Sequence, residues 1–157
     1  MHKRKHKYLN QIGISSKETC IFNASEFEPR KMKKYRKERQ KYGFDSRETW
    51  CLSYTLISWV YSHIRYMKEE AGKVIDWKHH KFSIPVLTEV YGPHIPDGKY
   101  KYHKVSIKEH NVDEIWDIIS EYCVTYLKSD MGFDPCAEEK AMCVMEILSC
   151  IFPVLWW

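Results

Sequence analysis

The sequence has few glycines and none of the spacings on which common phosphate-binding and metal-binding motifs depend. Six glycines occur in 157 residues, and none lies in a Walker-type or dinucleotide-binding pattern. The six cysteines include no Cys-x-x-Cys pair, and a His-Glu-x-x-His motif is absent. Nucleophile-elbow and protein-kinase signatures are missing too. The sequence therefore indicates no enzyme class, and we expect a non-enzymatic protein without a cofactor or a metal.

Long apolar runs are also lacking. The first seven residues are basic, but no apolar stretch follows them, which disfavours a secretory signal. Residues 141–157 are apolar, yet they contain Glu146 and Pro153 and are short for a bilayer span, so we expect a core helix and no membrane association. Without an export signal, the cysteines are expected to be reduced thiols in the cytoplasm.

Three of these cysteines recur at an interval of seven residues, which places Cys136, Cys143 and Cys150 along one side of a helix. Small buried thiols are the expected explanation, and an oligomer seam is the alternative. The sequence leaves the oligomeric state open.

The pattern of helix signals predicts a mainly α (α+β) fold, a compact domain of about four helices. A flexible basic arm is expected over residues 1–24, and the helical domain over 25–157. The first helix is predicted over residues 30–42 and ends at Gly43. The second runs over 47–71 and shows the capping-box spacing of Asp45 and Glu48, with Gly72 as its C-terminal cap.

An apolar stripe on the second helix predicts its buried face, because its members recur at helical spacing. The stripe consists of Leu52, Leu56, Trp59 or Val60, His63 and Met67, and it is widened by Trp50, Ile57 and Ile64. His63 is therefore expected to be a core residue.

The second half of the chain begins with a change of pattern. Prolines and β-prone runs predict a β-hairpin or structured loop inserted at residues 73–110. A third helix is predicted from Asn111 to about residue 128, and Glu114 gives it the capping-box spacing. The fourth begins at Asp134-Pro135 and ends near residue 152.

Charge is distributed unevenly along the chain. Residues 1–44 contain 13 Lys or Arg against four Glu, whereas the remaining residues contain 12 against 17 Asp or Glu. The two parts have balances of +9 and −5, which together give the net charge of +4. Such asymmetry indicates either a basic surface for a polyanion or internal pairing of the two ends.

The basic residues are the candidate binding site for nucleic acid or another partner, because cations in series can contact successive phosphates. They are Lys3, Arg4, Lys5, Lys7, Arg30, Lys31, Lys33, Lys34, Arg36, Lys37, Arg39 and Lys41. Tyrosines interleaved with them are candidates for stacking on bases. These are Tyr8, Tyr35 and Tyr42.

Residues 42–59 read YGFDSRETWCLSYTLISW, a Gly-aromatic turn followed by an acid-Thr-Trp-x-Leu pattern. This stretch resembles a motif of small, uncharacterised bacteriophage and prophage proteins. In that family an Asp stands where this chain has Ser53, and the residues after Trp59 also depart from it. The resemblance implies a phage origin and a bacterial host cytoplasm, and it assigns no activity.

These observations together predict a phage accessory protein that inhibits a host defence system. It would bind nucleic acid, or a nucleic-acid-loaded host complex such as a CRISPR effector, through its basic N-terminal region. One alternative is an oligomeric sponge that sequesters a nucleotide signal in a pocket around Trp50, Tyr54 and the 73–110 region. Another is a metal-dependent nuclease built on the His-rich segment 76–110. Its candidates are Asp76, His79, His80, His94, His103 and His110.

Overall fold

The computed structural model of the protein describes residues 7–14, 32–50, 52–91, 101–129 and 134–155. These residues form, in chain order, α1 Lys7–Gln11, α2 Met32–Tyr42, α3 Ser46–Trp50, α4 Leu52–Glu69, β1 Lys81–Tyr91, β2 Lys101–Asn111, α5 Val112–Lys128 and α6 Pro135–Cys150. The predicted fold, mainly helical with a small β insertion, is confirmed. The chain divides into two compact units, residues 1–62 and 63–157, so that the boundary lies within α4.

The N-terminal residues contain more structure than the sequence indicates. Residues 7–11 form the short helix α1, and Leu9 and Ile14 are buried. The expectation of an arm without regular structure is therefore wrong for residues 7–14, because a single turn of helix is too short to show periodicity. The boundary predicted between residues 24 and 25 lies outside the described residues.

Helix α2 occupies the predicted position and ends as predicted. Gly43 has a φ of +83°, and its N–H donates to the carbonyl of Arg39 over 3.0 Å. Glycine adopts this left-handed conformation without the steric cost of a Cβ atom, which explains its place at the helix end.

Helix α4 buries only part of the predicted stripe. Ile57, Val60 and Ile64 are at most 3% exposed, whereas Leu52 is 62% exposed. The expected core residue His63 is exposed too. Because α4 is apolar on several sides, its periodicity fits more than one buried face.

The predicted C-terminal cap of α4 is wrong as well. The helix ends at Glu69, and Gly72 lies in a 3-10 turn, Ala71–Lys73. Among the glycines in the described ranges, positive φ angles occur at Gly13 and Gly43, so Gly72 does not adopt the capping conformation.

The predicted hairpin is present in the second unit. Strands β1 and β2 pair antiparallel, from Lys81 opposite Asn111 to Tyr91 opposite Lys101. The register places Glu89 directly opposite His103, so the two side chains share one face of the sheet. The turn signal at residues 96–98 lies outside the described residues.

Helices α5 and α6 both begin at the predicted caps. The Asn111 side chain accepts from Glu114 N–H, and the Glu114 side chain accepts from Asn111 N–H. The Asp134 side chain accepts from the N–H groups of Cys136 and Ala137. Within the described ranges, no helix combines the length and the apolar character that crossing a membrane requires.

The core of the second unit lies where α5 and α6 meet the hairpin. Ile84 of β1, Ile115 and Trp116 of α5, and Val144 of α6 are fully buried. The Trp116 ring meets Trp77 edge to face, with centroids 5.8 Å apart. The hairpin is thus held by the packing of two helices.

The capping box at Asn111 gives a stability prediction. Replacing Asn111 by Ala removes an acceptor from an orphan helix N–H, and we expect about 1 kcal/mol lower free energy of unfolding. Asn111→Ser keeps an acceptor and should be nearly neutral. Denaturant unfolding of both variants measures the difference. Equal losses would show that the side chain stabilises the protein in some other way.

Candidate functional site

One side of α2 carries a row of lysines. Lys33, Lys37 and Lys41, here called the lysine row, are exposed and follow one another at intervals of four residues. This interval places them on one helix face with a rise of about 6 Å between neighbours. Among the described residues, Lys33 and Lys37 have no hydrogen-bond or ion-pair partner. Their charges are therefore presented to solvent.

An aromatic ring lies at the end of this row. Tyr42 is 56% exposed, and the Lys41 Nζ lies 4.9 Å from its ring centroid. The row and Tyr42, together with Lys34 and Glu38, line a shallow groove of about 490 Å³. In proteins that bind single-stranded nucleic acid, exposed cations contact the phosphates and an exposed aromatic ring stacks on a base.

Glu38 lies in the groove and has partners of its own. Its carboxylate accepts from the backbone N–H of Ser46 over 2.9 Å and pairs with Lys34 at 3.6 Å. The hydrogen bond from Ser46 lowers the pKa of Glu38. Lys34 is thus partly neutralised, while the lysine row is less affected by this carboxylate.

Arg39 was a predicted binding residue, and the structure gives it another role. Its Nε donates to the Asp45 carboxylate at 2.6 Å, and its Nη2 donates to Glu48 at 2.8 Å. Asp45 is fully buried, so a cation beside it compensates for the lost hydration of its charge. The guanidinium links the end of α2 to the start of α3, and we leave Arg39 out of the binding surface.

Two of the three predicted stacking residues are also corrected. Tyr8 and Tyr35 are 8% and 7% exposed, so their faces are covered within the protein. Lys7 is exposed, and its Nζ lies over the Tyr8 ring at 4.8 Å. Arg36 is exposed as predicted. The remaining predicted binding residues, Lys3, Arg4, Lys5, Arg30 and Lys31, lie outside the described residues.

A second candidate site lies in the other unit, where β2 meets α6. The Nδ1 of His103 lies 2.6 Å from the Glu139 carboxylate, and ligand atoms of His103, Glu139 and Cys136 lie within 4.8 Å of one another. The His103 side chain is 1% exposed, whereas Glu139 is 44% exposed. The cluster is therefore buried on the strand side and open on the helix side.

Charged groups surround His103 beyond this cluster. The Glu89 carboxylate lies 4.0 Å from both the His103 Nε2 and the Lys140 Nζ. Lys140 is almost buried, lies 3.5 Å from Glu121 and faces the Tyr122 ring at 5.5 Å. A buried ammonium is stabilised by such carboxylates and by an aromatic face.

The other predicted histidines do not join this cluster. His79 is 82% exposed and lies 3.1 Å from Asp76, and His110 lies 3.1 Å from Glu114. His80 is exposed, and His94 lies outside the described residues. Sequence reasoning therefore found His103 but missed Cys136 and Glu139. Their three-residue spacing on one helix face was the available signal.

The cysteines of α6 differ in their surroundings. Cys143 is buried, its thiol donates to the Pro85 carbonyl at 3.5 Å, and burial raises its pKa to about 11. Burial also raises the pKa of Cys123 on α5. Cys136 is half-buried and Cys150 is exposed. The prediction of three buried thiols is thus confirmed for Cys143 and wrong for Cys150.

Comparison with known proteins finds no matching family model, no matching curated protein and no matching solved structure. The resemblance of residues 42–59 to phage proteins accordingly stays a prediction.

The link through Arg39 gives a second stability prediction. Arg39→Ala leaves the buried Asp45 carboxylate without its cation, and we expect a loss of about 1–3 kcal/mol in the free energy of unfolding. Lys37→Ala removes an exposed cation from the same helix and should change it by less than about 0.5 kcal/mol. Denaturant unfolding compares the two variants. A loss of similar size in both would mean that the ion pair with Asp45 does not determine the effect.

Proposed function

We propose that this protein binds nucleic acid through the lysine row and Tyr42 of α2. The observation that carries the proposal is the exposure of three lysines at four-residue spacing beside an exposed aromatic ring. Lysines contact phosphates as point charges, and each contact releases a condensed counterion from the nucleic acid. A helix face of this kind binds the backbone without reading its sequence.

Single-stranded nucleic acid is the ligand that this surface fits best. Tyr42 can stack on an unpaired base while the lysines follow the adjoining phosphates, and stacking of this kind tolerates any base. Paired bases of a duplex hide their faces from a surface tyrosine. The groove beside α2, of about 490 Å³, has room for a nucleotide next to the ring.

The partner in the cell is proposed to be a nucleic-acid-loaded host complex, and the role to be inhibition of a host defence system. The role depends on the phage resemblance, whereas the contact chemistry depends on α2. The nucleotide sponge is less favoured, since Tyr54 of its suggested pocket is buried. The internal pairing of basic and acidic parts of the chain is the competing explanation for the charge.

A salt titration tests the proposed contacts. Replacing Lys33, Lys37 and Lys41 together by Gln removes three phosphate contacts, and we expect weaker binding to a single-stranded DNA oligonucleotide. The slope of log K against log salt concentration should decrease in magnitude by about 2. Fluorescence anisotropy at several salt concentrations measures it.

A matched variant separates this effect from net charge. Lys104, Lys108 and Lys128 are exposed lysines of the other unit, and replacing all three by Gln changes the net charge equally. This control should retain most of the slope. If both triple variants weaken binding alike, the lysine row is not the site. If the wild type binds with no salt dependence, the electrostatic mechanism fails.

The ring of Tyr42 makes a separate prediction. Tyr42→Ala should lower the binding free energy for single-stranded DNA by about 1–3 kcal/mol with an unchanged salt slope, because it removes a stacking surface and no charge. Tyr42→Phe keeps the ring and should bind almost normally. Tyr66→Ala removes an equally exposed tyrosine elsewhere and serves as the control. Normal binding by Tyr42→Ala would exclude stacking.

A further inference from the structure

The cluster of His103, Cys136 and Glu139 combines the three side-chain types that most often bind zinc. An imidazole nitrogen, a thiolate sulfur and a carboxylate oxygen are typical Zn²⁺ ligands, whereas magnesium and calcium prefer oxygen alone. Their ligand atoms already lie within 4.8 Å of one another. A tetrahedral zinc ion with bonds of about 2.0–2.3 Å holds its ligand atoms about 3.3–3.8 Å apart. The cluster is thus close to a binding geometry.

The elements that supply these ligands make the arrangement reproducible. His103 is fixed by its strand and by burial, and its side chain is 1% exposed. Cys136 and Glu139 lie one turn apart near the start of α6, where the Asp134 cap fixes the helix end. Glu139 is 44% exposed, so its carboxylate can move from the 2.6 Å hydrogen bond to the ligand distance.

An unpartnered nitrogen provides an independent reason to expect a ligand here. The His103 Nε2 is buried and has no hydrogen-bond partner among the described residues. If Nδ1 donates to Glu139 in a neutral ring, Nε2 has a lone pair that faces the Glu89 carboxylate at 4.0 Å. Two acceptors then face each other, and the buried Nε2 has no donor, which is unfavourable.

Metal binding at Nδ1 removes this conflict. The ring proton then resides on Nε2, which becomes a donor directed at Glu89. Histidines that bind metals usually donate their other N–H to such a carboxylate, which fixes the tautomer and the ring orientation. Glu89 is the cross-strand partner of His103, so the sheet register holds it in this position.

We propose that His103, Cys136 and Glu139 bind one Zn²⁺ ion, with Glu89 as the positioning residue that accepts from the His103 Nε2. The ion joins β2 to the N-terminal part of α6. Three protein ligands leave a fourth position for water on the side where Glu139 is exposed. This site is independent of the proposed nucleic-acid surface, since it lies in the other unit and uses different chemistry.

Zinc titration of the purified, metal-free full chain tests the stoichiometry. Isothermal calorimetry with zinc chloride should give one tight site in the wild type. Cys136→Ser and Glu139→Gln should each weaken it by more than about tenfold, and Glu89→Gln by about tenfold, since loss of an outer partner costs about 10–100-fold. Zinc should also raise the thermal midpoint of the wild type and not that of Cys136→Ser.

Two controls exclude adventitious binding. Cys150→Ser removes an exposed thiol from the same helix, and His79→Asn removes an exposed histidine beside a carboxylate in the same unit. Both should bind zinc like the wild type. A tight site that is lost in either control, and kept in Cys136→Ser, would overturn the assignment.

Cobalt substitution gives a test that does not depend on the folding of a variant. Co²⁺ in the wild type should show a thiolate charge-transfer band and the visible absorption of a tetrahedral ion. Cys150→Ser should keep this spectrum, and Cys136→Ser should lose the charge-transfer band. Absence of both features in the wild type, or zinc binding no tighter than a millimolar surface contact, would overturn the proposal.

Discussion

The second unit depends on covering a hairpin that cannot stand alone. Two antiparallel strands are at best marginally stable in water, so β1 and β2 need a packed partner on one face. That partner is the pair α5 and α6, through which Ile84 becomes fully buried. Polar contacts fix the arrangement: the Tyr122 hydroxyl accepts from the Leu87 N–H at 2.8 Å, and the Cys143 thiol donates to the Pro85 carbonyl.

The chemistry around His103 follows from the same packing. Because α6 covers the end of the hairpin, His103 and Lys140 lose their contact with water and must be stabilised by neighbouring groups. Glu121 and the Tyr122 ring stabilise the ammonium of Lys140, and burial raises the pKa of Tyr122. The imidazole keeps one satisfied nitrogen and one unsatisfied nitrogen. The unsatisfied nitrogen distinguishes this cluster from an ordinary buried ion pair.

The features that were predictable are those that depend on neighbours in sequence. The caps at Asn111 and Asp134, the glycine end of α2 and the hairpin all depend on a few consecutive residues, and all four are confirmed. The buried face of α4 depends on the rest of the fold, and the predicted stripe was right for Ile57, Val60 and Ile64 and wrong for Leu52 and His63. The lysine row was predictable from its spacing. The partners of Arg39 were not predictable, because the capping-box spacing of Asp45 and Glu48 indicates the start of α3 but not that Asp45 is buried beside an arginine.

The charge asymmetry allowed either an outside partner or pairing between the ends of the chain, and the local contacts bear on that choice. Many carboxylates of the acidic last third already have partners within residues 63–157. Asp113, Asp117 and Glu121 lie beside a lysine, and Glu114 and Glu139 lie beside a histidine. Asp134 accepts from the first N–H groups of α6. A carboxylate paired with Lys68 or Lys140 attracts a distant cation weakly, because the pair acts as a dipole that salt screens further. Glu114, Asp134 and Glu139 have a histidine or helix N–H groups beside them instead of a Lys or Arg, so local pairing does not remove the balance of −5 over residues 45–157. The proposal of an external polyanion therefore depends on the exposed lysine row and Tyr42, and not on the charge asymmetry.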